Sequence, residues 1–433
     1  MLERDGRIVA IDVLRGLAIL WVISFHLWVD MTFKYAGADH LYFALRDRIG
    51  EGDVLASATA LGEVVLGTGF HGVALFMVLS GLSLTLNAYR RGEPPLLQGY
   101  RARWWKILPV YWSGIAFFAG TIAFVAVLTM IAEGVTFREG WDSVTIAVLG
   151  AVTVTWADVA WAASVFGPLF RSEIATVLVG SMWFVPLLLQ YYLIFPFALR
   201  ALDRIGPWRF LIAALAITFF SRWLLLQFGP SFMETGYIAR TMTSFAPFRI
   251  SEFAAGMVIG WLLVHRRAET AEYTTSPFDI AGLIVIAFLM QMGGAVLGPR
   301  SDVTRTFADP MIGLGMAVYA LPLLFKVPGM LERSVPARAL IFMGVISFPV
   351  LIVNDGMRYI ASFLRGQEIA DPAWWFFLVV VYVPVGVLIA YPYALLFGLV
   401  PKQRRTREAP EPAVTPPLDL QPAPGGGGAG GGS

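Results

Sequence analysis

The chain has 433 residues, 57% of them hydrophobic and only 14% charged, with a mean hydropathy of +0.69. Soluble domains carry about 25% charged residues, so this composition excludes a water-soluble globule; with its repeated apolar runs of about 20 residues it specifies a polytopic membrane protein. The net charge of +2 is uninformative as a total, and the lack of any cysteine excludes disulfides, thiolate metal sites and cysteine nucleophiles.

The first apolar segment, Ile8 to Asp30, reads IVAIDVLRGLAILWVISFHLWVD. It is long enough to cross a bilayer, yet it carries Asp12, Arg15, His26 and Asp30. Positions 12, 15, 19, 22, 26 and 30 follow steps of three and four, so every titratable side chain shares one helix face. An ionisable group at mid-bilayer costs about 2.5–3.5 kcal/mol, so that face must meet protein or a wet cavity. Arg15 and His26 are separated by about 16 Å of helical rise, which places a cation in the entry half of the membrane and an imidazole near the other surface. Asp12 can pair with Arg15 at three residues' spacing, and Asp30 is placed to orient the imidazole. Because Arg15 interrupts the apolar region and no small-residue cleavage site follows, the segment is expected to be a retained helix, not a signal peptide.

Candidate spans follow at 64–89, 107–132, 181–201, 208–228, 247–264, 279–298, 308–327, 339–361 and 373–400. The intervening 31–63 is expected as a long outward loop with no spanning stretch, covering the mouth of the site. Basic loops set orientation. Arg90, Arg91, Arg101, Arg103 and Lys106 make 90–106 cytoplasmic. The later clusters at Arg200, Arg204 and Arg209, at His265, Arg266 and Arg267, at Lys326, Arg333 and Arg338, and after Lys402 agree only if 144–166 does not cross. That stretch, with Asp158 between Trp156 and Trp161, is therefore read as re-entrant or interfacial, an eleventh span being the rival. The fold expected is an all-α transmembrane bundle of about ten spans, both termini cytoplasmic, with a domain at 1–400. Beyond it, 401–433 is charged and Pro-rich and ends in GGGGAGGGS, the composition of a disordered tail and flexible tether.

Several places concentrate chemistry. Gly69 to Leu86, GFHGVALFMVLSGLSLTL, packs glycines and serines into one span, which suits close helix approach. In RARWWKILPVYW, Arg103 and Lys106 lie one turn apart, with Pro109 expected in the first turn of a helix. Such basic residues serve either as anchors at anionic headgroups or as partners for the phosphates of a nucleotide-like donor. Arg249 and Glu252, one turn apart at the outer end of a span, read as a structural ion pair or as acceptor contacts. Arg222 is deeper and has no partner nearby in sequence. His40 and His71 read as loop and helix-end residues, and His265 as part of a basic cluster.

Together these residues resemble the acyltransferase-3 family of integral-membrane O-acyltransferases. Three stretches carry the likeness: Arg15, ten intervening residues and His26; GVALFMVLSG (Gly72 to Gly81); and the basic motif followed by Ile107, Pro109, Tyr111 and Trp112. Weaker echoes are MWFVPLLLQYYLIFP, FRISEFAAGM and MGVISFPVLIVN. The basic motif has Lys106 where the family usually has a second arginine, Leu188 or Leu189 stands where many members have Glu, and Asn354 stands where members often have His. DVLRG and HLWVD also look like the related heparan-glucosaminide N-acetyltransferase group.

The resemblance implies transfer of an acyl group, acetyl by expectation, from cytoplasmic acyl-CoA to an extracytoplasmic carbohydrate or glycolipid at the cell (inner) membrane. Arg101, Arg103 and Lys106 would hold the donor. Arg15, His26 and Asp30 would form the catalytic face, His26 as general base or acyl carrier. Arg222, Arg249, Glu252 and Trp183 would meet the acceptor. No metal and no nucleic acid is implied, and a homodimer is left open. The rival from another class is a proton-coupled secondary transporter or flippase; no duplicated half or matched pair of broken helices is evident.

Overall fold

The computed structural model describes residues 3–4, 7–32, 47–92, 96–142, 160, 163–164, 180–229, 242, 244–272, 276–298, 301–326, 334–365 and 372–399. Over these the protein is a bundle of α-helices, preceded by an antiparallel bridge of Glu3–Arg4 with Arg7–Ile8. In chain order the helices are α1 (Val9–Thr32), α2 (Val54–Gly67), α3 (His71–Arg91), α4 (Leu96–Glu133), α5 (Phe184–Ile205), α6 (Pro207–Phe228), α7 (Ala246–His265), α8 (Pro277–Leu297), α9 (Asp302–Lys326), α10 (Val335–Val345), α11 (Ser347–Arg365) and α12 (Pro372–Leu396).

Local chemistry sets the starts. Asp53 caps α2 by accepting from the Ala56 amide at 3.0 Å, Ser276 caps α8 ahead of Pro277, and Ser334 caps α10. Gly206, at φ 82°, stops α5, and Pro207 opens α6 directly after it.

Among the described residues, eight helices, α1 and α3 to α9, are long and apolar enough to cross a membrane; α10 and α11, bent by 79° at their junction, would make a ninth as one broken span. The stretch expected as a tenth, 373–400, is helical as α12, which runs for 25 residues.

Three expectations are corrected. The 64–89 span is not one helix: α2 ends at Gly67, and the crossing starts at His71 after a turn through Thr68, Gly69 and Phe70. The loop 31–63 contains most of α2, which packs Val64 on Trp28 of α1. Pro109 stands well inside α4, which begins at Leu96 because the basic stretch before it is itself helical. Proline within a membrane helix is tolerated where neighbours satisfy the freed backbone groups. The stretch 144–166 lies outside the described residues except at 160, 163 and 164, as does the tail 401–433.

Glycine seams fix the centre of the bundle. A Cβ on Gly256 of α7 would lie 1.9 Å from the Val78 carbonyl oxygen, and one on Gly81 of α3 would lie 2.1 Å from that of Phe253. On the opposite side of α1, a Cβ on Gly344 of α10 would lie 1.8 Å from the Asp12 oxygen. Between helices in lipid, where apolar burial drives little association, such backbone approach supplies the packing. By contrast, α6 and α8 present Ile212, Ile217, Phe220, Ile284, Val285 and Leu289 outward, as a lipid-facing surface should.

The seam is testable. Gly256→Val should abolish or sharply destabilise the folded protein. Gly282→Ala, where a Cβ meets nothing within 4 Å, should be neutral or stabilising by about 1 kcal/mol through helix propensity. Thermal unfolding of the purified variants in detergent reads both, and equal melting of Gly256→Val and wild type would remove the seam from the account.

Candidate functional site

The charged face of α1 turns inward. Asp12, Ile19 and Val22 are buried and Arg15 and His26 half-buried, whereas Leu17 on the far side is 42% exposed. Arg15 lies 3.8 Å from Asp12 and donates from Nη2 to Ser83 Oγ of α3 at 3.0 Å. Ser83 in turn donates to the Leu79 carbonyl at 2.6 Å. One of the small residues of that glycine- and serine-rich helix thus receives the cation.

His26 is met by Asn354 of α11, which Tyr382 of α12 holds in turn. Asn354 Nδ2 lies 3.2 Å from His26 Nδ1, and the Tyr382 hydroxyl lies 2.9 Å from both Asn354 Oδ1 and the Asn354 carbonyl oxygen. One turn further on, Arg358 pairs with Asp355 at 3.2 Å. The Asp30 side chain, expected to orient the imidazole, lies outside the described residues. Tyr382 and the Asp355–Arg358 pair were missed by sequence reasoning, and Asn354 was noted only as a departure. The signal for α11 was available: NDGMR is a polar run inside an apolar stretch, and membrane segments rarely carry one without use for it.

On α4, the Arg103 guanidinium lies 5.2 Å from the centroid of the Phe195 ring on α5. Tyr100 of α4 donates to the Leu193 carbonyl at 3.1 Å, fastening the same two helices. Arg101 and Lys106 are exposed.

The acceptor-side candidates join a buried layer that the sequence only half disclosed. Arg222, fully buried, donates to Asp309 Oδ2 at 2.5 Å, to the Phe248 carbonyl at 2.7 Å and to that of Arg305 at 2.9 Å. Arg249 donates twice to Glu252 Oε1, at 2.7 and 3.0 Å, and its guanidinium lies 5.4 Å from the Trp183 ring centroid. His71, read as a helix-end residue, is fully buried and takes a contact from Gln291 Nε2 on its Nδ1 at 2.8 Å. Asp309 is the partner that proximity in sequence could not supply, 87 residues from Arg222. A single acid beside Pro310 in an apolar span was its only trace. Among the described residues, Glu252 Oε2, His71 Nε2 and Tyr191 Oη have no hydrogen-bond partner. His265 is exposed, stacked on Trp261 with ring centroids 4.6 Å apart, and His40 lies outside the described residues.

Among the described residues no group of three or more His, Asp or Glu side chains could hold a metal ion. A family model described as an acyltransferase domain matches residues 8–391 of the chain. No curated protein and no solved structure matches it.

The buried layer makes a stability prediction. Asp309→Leu should destabilise the protein by about 3–5 kcal/mol, because it strands a buried guanidinium. Arg222→Met combined with Asp309→Leu should recover much of that loss. Denaturation of the two variants in detergent checks this, and a double variant as unstable as the single one would show that the carboxylate is not what holds Arg222.

Proposed function

Because the chain belongs to the acyltransferase-3 family, and is a multi-pass membrane acyltransferase, we propose that it moves an acyl group from cytoplasmic acyl-CoA to a hydroxyl of an extracytoplasmic carbohydrate or glycolipid. The observation that carries the reading is the inward face of α1. It holds a cation at one end and an imidazole at the other, each met by a side chain from a different helix. Neither a packing role nor a topology role calls for both.

The donor's phosphates would lie against Arg101, Arg103 and Lys106, with Arg15 further along its path; guanidinium groups suit phosphate oxygens through paired hydrogen bonds. The pantetheine arm is comparable in length to the rise from Arg15 to His26, about 16 Å, so the thioester would be presented beside the imidazole. His26 takes the proton of the acceptor hydroxyl as that oxygen attacks the thioester carbonyl. The carbon–sulfur bond then breaks, and the proton passes from the imidazole to the departing thiolate, leaving an ester and free coenzyme A. Arg249, Glu252 and Trp183 supply a cation, a carboxylate and an aromatic face on the acceptor side, a set suited to a polyhydroxylated ligand. Positive loops favour cytoplasmic termini, and the DVLRG likeness to the heparan-glucosaminide group favours acetyl as the acyl group.

Membranes holding the full chain, incubated with radiolabelled acetyl-CoA, should transfer label and release coenzyme A; a carrier would leave the thioester intact. His26→Ala should lower transfer by about 10²–10⁴, the usual contribution of a positioned acid–base group, and still bind acetyl-CoA. A His26→Ala protein acting at the wild-type rate would return α1 to a packing role. Replacing Arg103 and Lys106 with Gln should weaken donor affinity, most visibly at low salt where screening is least. Unchanged affinity would assign both to topology alone.

A further inference from the structure

Asn354 reaches His26 from the second arm of the bent pair α10–α11, and it is held on both sides by groups of different hydrogen-bonding ability. On one side is His26 Nδ1, 3.2 Å from Asn354 Nδ2. On the other is Tyr382 Oη, 2.9 Å from Asn354 Oδ1 and equally 2.9 Å from the Asn354 carbonyl oxygen. Asn354 is 1% exposed, so this contact sits out of reach of bulk water. A neutral imidazole carries its proton on one nitrogen and a lone pair on the other, and the partner of Nδ1 decides which.

Two bonding patterns fit these distances. In the first, Tyr382 donates to Oδ1, Nδ2 donates to Nδ1, and the ring proton sits on Nε2. In the second the amide is turned over. Nδ1–H donates to Oδ1, Nδ2 donates to Tyr382 Oη, and the phenol proton moves to the Asn354 carbonyl oxygen, already at 2.9 Å. The Asn354 amide keeps a partner at both ends in the turn, because a phenol both donates and accepts. The difference lies in the imidazole, whose lone pair passes from Nδ1 to Nε2.

We infer that Asn354 is the positioning residue of His26, an amide switch backed by Tyr382 that selects the imidazole nitrogen able to take the acceptor's proton. With the amide turned over, Nε2 is the base, and Oδ1 holds the Nδ1 proton through the transfer. The switch rests on His26 acting as the base proposed above, and it adds to that reading a group from α11 that acts on the tautomer. A side chain at 354 that accepts from Nδ1–H preserves the function; an apolar one abolishes it. Arg358, one turn along the same helix, would balance the charge of a carboxylate placed there.

The test compares coenzyme A release from acetyl-CoA in membranes holding the full chain, together with acetyl-CoA binding. Asn354→Leu should lower release about 100-fold, with donor affinity within about twofold of wild type. Asn354→Asp and the uncharged Asn354→His both accept from Nδ1–H and should keep release within about tenfold of wild type. A packing role reverses this order, since Leu is tolerated in an apolar interior better than a carboxylate. Asp and His variants no faster than Leu would therefore overturn the switch, and using two acceptors keeps the test valid if one variant fails to fold. His26→Ala distinguishes the levels. If it is slow while Asn354→Leu is at the wild-type rate, only the switch is lost. If His26→Ala is itself at the wild-type rate, or the wild type releases no coenzyme A, the transfer reading fails and the switch with it.

Discussion

The arrangement of this bundle depends on one rule of its solvent: a charge inside hydrocarbon must find its partner in protein. Arg222 meets that rule with four oxygens drawn from α7 and α9, one of them the Asp309 carboxylate. Three helices are thereby held at one level. The Arg249–Glu252 pair lies on the inner side of the same layer, its carboxylate against Gly313 of α9, where a Cβ would come within 2.3 Å of Glu252 Cγ. Any tilt of α6, α7 or α9 that separated these groups would expose a bare ion to lipid, at a cost of several kcal/mol. The scaffold around Arg222, Arg249 and Glu252 is therefore stiff for an electrostatic reason, independent of how well its apolar side chains pack.

The first helix is constrained differently. It is clasped by glycine contacts from α3 and from α10, with Gly72 near the Ala18 carbonyl and Gly344 against that of Asp12. Backbones this close leave no room for α1 to rotate, so the face bearing Arg15 and His26 cannot swing toward lipid. The two arms of the bent pair serve the two ends of that helix: α10 lies at Asp12, and α11 brings Asn354 to His26. The two arms are bent by 79° at their junction.

Much of this was legible in the sequence because helical periodicity is local. The steps from Asp12 to His26 put the polar groups on one face before any fold was known, and the burial of Ile19 and Val22 with the exposure of Leu17 agrees. The Arg249–Glu252 pair was legible for the same reason, being one turn apart. Asp309, Gln291, Asn354 and Tyr382 were not assigned to their partners, because those contacts join residues 87 to 328 positions apart, except for the 28 between Asn354 and Tyr382. His71 was misread because its neighbours in sequence are those of a helix start, while its ring meets Trp21 of α1, Phe70 and Gln291 of α8. The break before His71 was also hidden: Thr68, Gly69 and Phe70 do not interrupt hydropathy, and only the turn in the backbone separates α2 from α3.

The buried layer has an electrical consequence. With both pairs ionised, Arg222, Arg249, Asp309 and Glu252 sum to zero charge. A transmembrane voltage does work of about 2.3 kcal/mol per elementary charge per 100 mV on a charge that crosses it, but none on a neutral group that moves as a body. Moving together, these four side chains therefore feel no net pull when the membrane is energised.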